Sequence, residues 1–251
     1  MTPFLTMCRI EILKLRRTLA LWMIFVAPSI VVLLQLMIWA QNKNSLDVDV
    51  DLWLSFQRNI LTMWAIFMQP LFAALIVALV YHLDHASQGW LRLFVLPVPR
   101  WTIPAAKLVV VLAMMTAATV TLHVLTMGAT WLFAVINHRI VLPVEVPFVE
   151  LAVRTGRVFL TSLIVVVIQN AISLRFASVP VSLGAGIAGT FLALFATSWK
   201  HGPYFPWLMG LYSIHGKEDV MARLLWLSPT LTILVAAGTL IYATRRDPGT
   251  Y

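Results

Sequence analysis

Residues 59–83 read NILTMWAIFMQPLFAALIVALVYHL and contain no Asp, Glu, Lys or Arg. An α-helix rises 1.5 Å per residue, so about 20 consecutive apolar residues cross the hydrocarbon core of a bilayer. The pair Gln69-Pro70 near the middle predicts a kink, because proline removes a helical hydrogen bond. This segment therefore predicts a transmembrane helix with a bend.

Five further charge-free runs lie on either side of it, at 18–42, 108–138, 158–174, 176–199 and 224–244. The 251 residues are 61% hydrophobic and 11% charged, whereas soluble domains carry about 25% charged residues. We therefore expect an all-α integral membrane protein that forms a single transmembrane domain over residues 1–251. Its six helices are predicted at 19–41, 59–83, 108–137, 156–174, 178–199 and 224–244.

The distribution of basic residues predicts the orientation of these spans. With the N-terminus inside, ten Lys and Arg fall on inner segments and eight on outer segments. The basic cluster before the first span gives the strongest support for this orientation. Both termini are then cytosolic. The net charge of +8 is spread along the membrane flanks, so we expect no nucleic-acid partner. One cysteine, Cys8, excludes an internal disulfide.

The first 18 residues predict an amphipathic helix on the membrane surface. Apolar side chains at Phe4, Leu5, Cys8, Ile12 and Leu15 share one arc, opposite Thr6, Arg9, Arg16 and Arg17. Such a helix contacts anionic lipid or a cytosolic partner. A plain topological anchor is the alternative.

The second segment outside the spans is the polar stretch 84–107, which we expect on the cytosolic side. Ser87 is a suitable N-cap for a short helix that ends before Pro97. Pro97, Pro99 and Pro104 then predict a stiff return to Lys107 at the head of the third span. We interpret the stretch as a short transverse helix on a rigid connection.

The third segment outside the spans, 203–213, is apolar but too short to cross the membrane. It is broken by Pro203, Pro206 and Gly210. It predicts a re-entrant or interfacial hairpin on the outer side, between the fifth and sixth spans. Small residues in the fifth span, such as Ala185 and Gly189, predict close helix packing.

Polar side chains at membrane depth are few: Gln35, Gln69, His123, Gln169 and Asn170. They should face the bundle interior, either for interhelical hydrogen bonds or for ligand contact. The candidate substrate pathway lies on the second span, at Trp64, Met68, Gln69 and Phe72.

Catalytic and metal motifs are the alternative interpretation of the polar residues. His82, Asp84 and His85 suit zinc in type but lack a fourth ligand, so we expect no metal site, and Asp84 should pair with a cation. The run from Gly210 to Lys217 has one residue too many for a phosphate-binding loop. We expect no catalytic residue in this chain.

Several of these features together resemble the permease subunit of the ABC type 2 exporter superfamily, especially small bacterial permeases of lantibiotic or antimicrobial-peptide immunity and drug efflux. The resemblance rests on the six spans, the basic start at residues 9–17, the acidic residue ending the second span, and Gly89-Trp90, Leu96-Pro97-Val98-Pro99-Arg100 and Lys107.

The resemblance implies an elbow helix at 1–18 and a coupling helix within 84–107 that docks on a separate ATPase. It assigns coupling to Asp84, His85, Gly89, Trp90, Arg92 and Arg100. It assigns elbow and partner contact to Arg9, Glu11, Lys14, Arg16 and Arg17. Asp84 departs from the glutamate that is more usual at its position.

The function implied is ATP-driven outward movement of an amphipathic substrate, such as an antimicrobial peptide, a drug or a lipid-like molecule, across the bacterial cytoplasmic (inner) membrane. The partners implied are two cytosolic ABC ATPase subunits, which bind the ATP and Mg, a second permease copy or a related permease, and membrane lipid. The chain itself would be a transport subunit and not an enzyme. The alternative is a motor-independent membrane protein, such as a small lipid-modifying enzyme or a complex anchor.

Overall fold

The computed structural model describes residues 3–16, 18–41, 51–86, 99, 101–136, 146–176 and 178–245, with the side chains of residues 3 and 83–86 excepted. Within these ranges the chain is helical and contains no strand. The helices are α1 (Pro3–Leu15), α2 (Leu19–Gln41), α3 (Leu52–Met63), α4 (Gln69–Ala86), α5 (Thr102–Ile136), α6 (Phe148–Arg175), α7 (Val179–Ala196), α8 (Met209–His215) and α9 (Glu218–Arg245).

Six stretches of helix are long and apolar enough to cross a membrane: Leu19–Gln41, Leu52–His82, Thr102–Ile136, Phe148–Arg175, Val179–Ala196 and Glu218–Arg245. The predicted all-helical membrane fold with six spans is confirmed. Their apolar surface is extensive, since Trp22, Phe195 and Trp226 are each more than two-thirds exposed. Such a surface suits lipid as the surrounding medium.

Several helices extend beyond the charge-free runs. The second span begins at Leu52, before residue 59, and α5 begins at Thr102, before residue 108. In both cases polar side chains are accommodated by the bundle: Gln57 and Lys107 are each no more than 1% exposed. Pro104, predicted in the connecting stretch, lies instead in the first turn of α5. The N–H groups of a first turn have no acceptor within the helix, so proline removes no hydrogen bond there.

The second span is continuous through Pro70 because a π-helical turn, Trp64–Met68, joins α3 to α4. Pro70 has no N–H to donate to the carbonyl four residues earlier. The wider turn changes the hydrogen-bond register, and the Gln69 N–H bonds to the Trp64 carbonyl five residues back. The irregularity predicted at Pro70 thus takes the form of a π-helical turn on its N-terminal side.

The helix α1 packs on α5, with further contacts to α2 and α4. Its buried positions are Met7, Glu11 and Leu15, one turn apart from each other. Leu5 and Ile12, placed on the apolar arc by the sequence, are each 53% exposed. The buried side of α1 is therefore rotated from the predicted arc and includes a carboxylate.

The segment after α7 makes two 3₁₀ turns, Gly202–Tyr204 and Pro206–Leu208, and then forms α8. It packs closely on the bundle: Leu208, Met209 and Gly210 are buried, and α8 contacts α6. A Cβ atom on Gly210 would meet the Ser162 hydroxyl, so a larger residue there requires the Ser162 side chain to move. That this segment forms a hairpin re-entering from the outer side stays a prediction.

Candidate functional site

A buried ion pair joins α1 to α5. The Lys107 Nζ lies 3.0 Å from Glu11 Oε2, and the two side chains are 0% and 1% exposed. The other carboxylate oxygen, Oε1, accepts a hydrogen bond of 2.8 Å from Lys14, which is 26% exposed. Glu11 thus holds two cations, one inside the bundle and one near its surface. Burying a charge is costly unless it is paired, so this geometry locks α1 against α5.

The ammonium of Lys107 also reaches the end of the second span. It donates to the Val80 carbonyl at 3.3 Å and lies 5.4 Å from the centre of the Tyr81 ring. An ammonium over an aromatic face is attracted by the ring quadrupole. A single buried side chain therefore contacts α1, α4 and its own helix α5.

The polar contacts continue from Tyr81 into α6. The Tyr81 hydroxyl donates to Asn170 Oδ1 at 3.0 Å, and both residues are buried. One turn along α6, the Ser173 hydroxyl bonds to the Ser182 hydroxyl on α7. Four helices beside α1 are linked in this way by buried polar groups that satisfy each other.

The position of this cluster in the chain is informative. Val80 and Tyr81 precede the segment 87–100 and Lys107 follows it, so the two helices that flank the segment are tied together and to α1. The ion pair lies in the interior and not on a surface. The helices α1, α4 and α5 share this one buried contact.

The predicted coupling residues lie mostly outside the described residues. Asp84 and His85 form the end of α4, but their side chains are not described, and Gly89, Trp90, Arg92 and Arg100 lie in the undescribed ranges. The coupling role of all six stays a prediction. The same holds for the proposed pairing of Asp84.

The predicted partner-contact residues of α1 divide by exposure. Arg9 and Arg16 are exposed and Lys14 is partly exposed, whereas Glu11 is directed inward to Lys107. Arg17 lies outside the described residues. The pKa of the neighbouring Cys8 thiol is raised by partial burial and by the Glu11 carboxylate, which keeps that thiol protonated.

The candidate pathway residues are in the protein interior. Trp64, Gln69 and Phe72 are at most 3% exposed, and Met68 is partly buried against the core. The indole N–H of Trp64 and both amide atoms of Gln69 have no hydrogen-bond partner. In this conformation these side chains are packed away from the surface, and their pathway role stays a prediction.

The other polar side chains predicted inside the bundle behave differently from one another. Gln35, Gln169 and Asn170 are buried, whereas His123 is partly exposed at a cleft. Among the described side chains, no three His, Cys, Asp or Glu residues are placed to hold a metal ion. The candidate ligands Asp84 and His85 are not among those side chains.

Sequence reasoning did not find the Glu11–Lys107 pair. It placed Lys107 at the head of a span and Glu11 on a partner-facing helix. A usable signal was present, because Lys107 follows Ile103, Pro104, Ala105 and Ala106 and precedes another apolar run, so a cation there needs an anionic partner. Which of the ten acidic residues supplies it depends on helix packing.

Comparison with known proteins gives one match. The family model described as ABC-2 family transporter protein matches residues 7–193. No curated protein and no solved structure matches the chain. The matched range contains α1 except its first four residues, five of the six spans to within a turn, and the whole of the buried polar cluster.

Proposed function

The chain belongs to the ABC-2 transporter family and is a permease, and on this premise we propose that it exports an amphipathic substrate with energy from a separate ATPase. In this proposal two copies of a cytosolic ABC ATPase bind the ATP and Mg, and each contacts one permease of a pair. The second permease is another copy of this chain or a related one. The membrane is the bacterial cytoplasmic membrane, with both termini inside.

The observation that supports the proposal most is the buried contact of Lys107 with Glu11 and the Val80 carbonyl. The candidate docking element lies within the stretch 84–107, and the helices on both of its sides meet at this ammonium. A partner that pushes on the segment would therefore move α4 and α5 together with α1, as one body. Because a buried pair is costly to separate, the contact favours a concerted displacement over local deformation.

The proposed cargo is an antimicrobial peptide, a drug or a lipid-like molecule. The described part of the chain offers no carboxylate, Lys or Arg midway along a span for an ion-coupled relay, and its exposed helix faces are apolar. An amphipathic molecule already dissolved in the membrane suits these faces.

Docking is tested by purifying the tagged chain from its native cells in detergent and identifying the proteins that copurify. The expected result is an ABC ATPase whose hydrolysis is stimulated by the permease. The double variant Trp90→Ala/Arg92→Ala should insert normally and remove that stimulation, because both side chains lie in the proposed docking element.

The matched control is Arg175→Ala. Arg175 is an exposed cation at the end of α6, in a second loop predicted on the same side of the membrane. This control should retain stimulation. Full stimulation by the double variant, or loss of stimulation by the control alone, contradicts the assignment of the docking element.

A further inference from the structure

A cleft of about 250 Å³ opens between α5 and α6 at the surface of the bundle. It is lined by Thr116, Thr119 and Val120 with His123 on α5 and by Ala152, Thr155, Gly156 and Phe159 on α6. It is separate from the buried cluster: His123 is 16 residues along α5 from Lys107, or about 24 Å at 1.5 Å per residue. The cleft thus lies midway along α5, within a helix long and apolar enough to cross a membrane.

The polar groups of the lining are largely used within the protein. The hydroxyls of Thr116 and Thr119 donate to the Leu112 and Met115 carbonyls of their own helix, at 2.8 and 2.9 Å. Both hydroxyl protons are therefore used within α5, and apart from His123 and Thr155 the remaining lining side chains are hydrocarbon. A water molecule needs two to four polar partners to be held in a cavity. The body of the cleft therefore suits a hydrocarbon chain.

Nε2 of His123 is available for a hydrogen bond at the end of the cleft, and the contacts of the Thr155 hydroxyl show why. The Thr155 hydroxyl donates to the Leu151 carbonyl at 3.0 Å and accepts from Gln57 Nε2 at 3.1 Å. It also contacts His123 Nδ1 at 3.1 Å. A hydroxyl has one proton and two acceptor positions, so with the Thr155 proton on the Leu151 carbonyl, Nδ1 is the donor in that contact.

This assignment fixes the other nitrogen of the ring. A neutral imidazole that donates through Nδ1 carries a lone pair on Nε2, which accepts a hydrogen bond. No described residue bonds to Nε2 of His123, and this side chain lines the cleft. The cleft thus combines a mostly hydrocarbon-lined body with an imidazole acceptor at its polar end.

We propose that this cleft binds an amphiphile with one hydrocarbon chain and a hydrogen-bond donor, a hydroxyl or an amine, at its head. The chain lies along Val120, Gly156 and Phe159, and the head group donates to His123 Nε2. The site is independent of the docking of an ATPase, so it is testable on the permease alone.

The test uses two probes in liposomes that contain the purified chain: hexadecanol carrying a diazirine in its chain, and the methyl ether of the same molecule, which cannot donate. After illumination, labelled peptides are quantified at equal membrane concentrations of probe. In the wild type, peptides of α5 and α6 should be labelled roughly 2- to 10-fold more by the alcohol, the range of one net hydrogen bond.

Two variants test binding of the hydrocarbon chain of the probe and binding of its head group separately. Gly156→Leu fills the cleft, and it suits the fold because a Cβ at this position meets no atom within 4 Å. It should remove labelling by both probes. His123→Phe keeps the ring volume and should leave chain labelling while abolishing the preference for the alcohol.

Gly238→Leu is the matched control, since Gly238 is on α9, outside the cleft, and also has open space for a side chain. Labelling of α5 and α6 should be unchanged in this control. If Gly156→Leu does not insert, Ala152→Leu narrows the cleft from the same helix. Equal labelling by the two probes in the wild type, or unchanged labelling when the cleft is filled, overturns the proposal.

Discussion

Replacing Lys107 by methionine tests the buried ion pair most directly. The substitution keeps an unbranched side chain of similar length but leaves the 1%-exposed Glu11 carboxylate without its interior partner. Breaking a buried pair by removing one partner costs about 3–5 kcal/mol. Because Lys14 remains 2.8 Å from the same carboxylate, we expect a loss of about 3 kcal/mol, at the lower end of that range.

The assay is thermal unfolding in lipid nanodiscs, followed by tryptophan fluorescence. For a chain of about 250 residues, 1 kcal/mol corresponds to about 2–4 °C in Tm, so Lys107→Met should lower Tm by about 6–12 °C. The matched control is Lys14→Met, which removes the 26%-exposed cation from the same carboxylate. It should lower Tm by less than about 4 °C, because solvent-exposed pairs contribute about 1 kcal/mol or less.

A double variant, Glu11→Leu/Lys107→Met, separates the charge effect from packing. Apolar replacement of both members of a buried pair is often neutral or stabilising, so this variant should recover at least half of the Tm lost in Lys107→Met. The reasoning is refuted if Lys14→Met is as damaging as Lys107→Met, or if the double variant is less stable than the single one.

Two further predictions concern other contacts. Gly186→Leu should prevent stable packing of α7 on α4, because the new side chain would meet Ala74. Gly184→Leu is the control and should be tolerated, because a Cβ at that position meets no atom within 4 Å. Thermal unfolding of the two variants tests this, and equal Tm values would contradict it. Burial, and then the charge of Arg58, lower the pKa of His215 below 6.5. The folded protein therefore disfavours protonation of this histidine. Stability should be highest above pH 6.5 and should decline as the pH falls through 6.5. His215→Gln should flatten the dependence of Tm on pH between about pH 8 and about pH 5, and an unchanged dependence would show that this histidine is not its source.

The number of the spans was predictable, because hydropathy is a local property of the chain. A run such as 19–41 has to satisfy its backbone hydrogen bonds internally in lipid, so it forms a helix whatever its neighbours are. The resemblance to ABC type 2 permeases was also available from local features, and the family match confirms it. The helix ends were less predictable, since Gln57 and Lys107 lie within helices where the bundle supplies their partners.

The glycines of α7 are a second case in which the sequence indicates a feature and the packed bundle decides where it lies. The sequence of α7 indicates close packing somewhere along its small residues, but Gly184 and Gly186 are equivalent in composition. In the structure Gly186 lies against Ala74 and Gly184 faces open space. The difference depends on which side of α7 meets α4, and that orientation is a property of the whole bundle.

Local chain chemistry was therefore enough to specify a helical membrane protein, the number of its spans and its family. The packed bundle was needed to bring Glu11 to Lys107 across 96 residues of sequence and to leave a cleft beside His123. The physical reason is that transfer into lipid is decided residue by residue along each helix. The partner of a buried charge is decided instead by the mutual rotation and depth of helices that are distant in the chain.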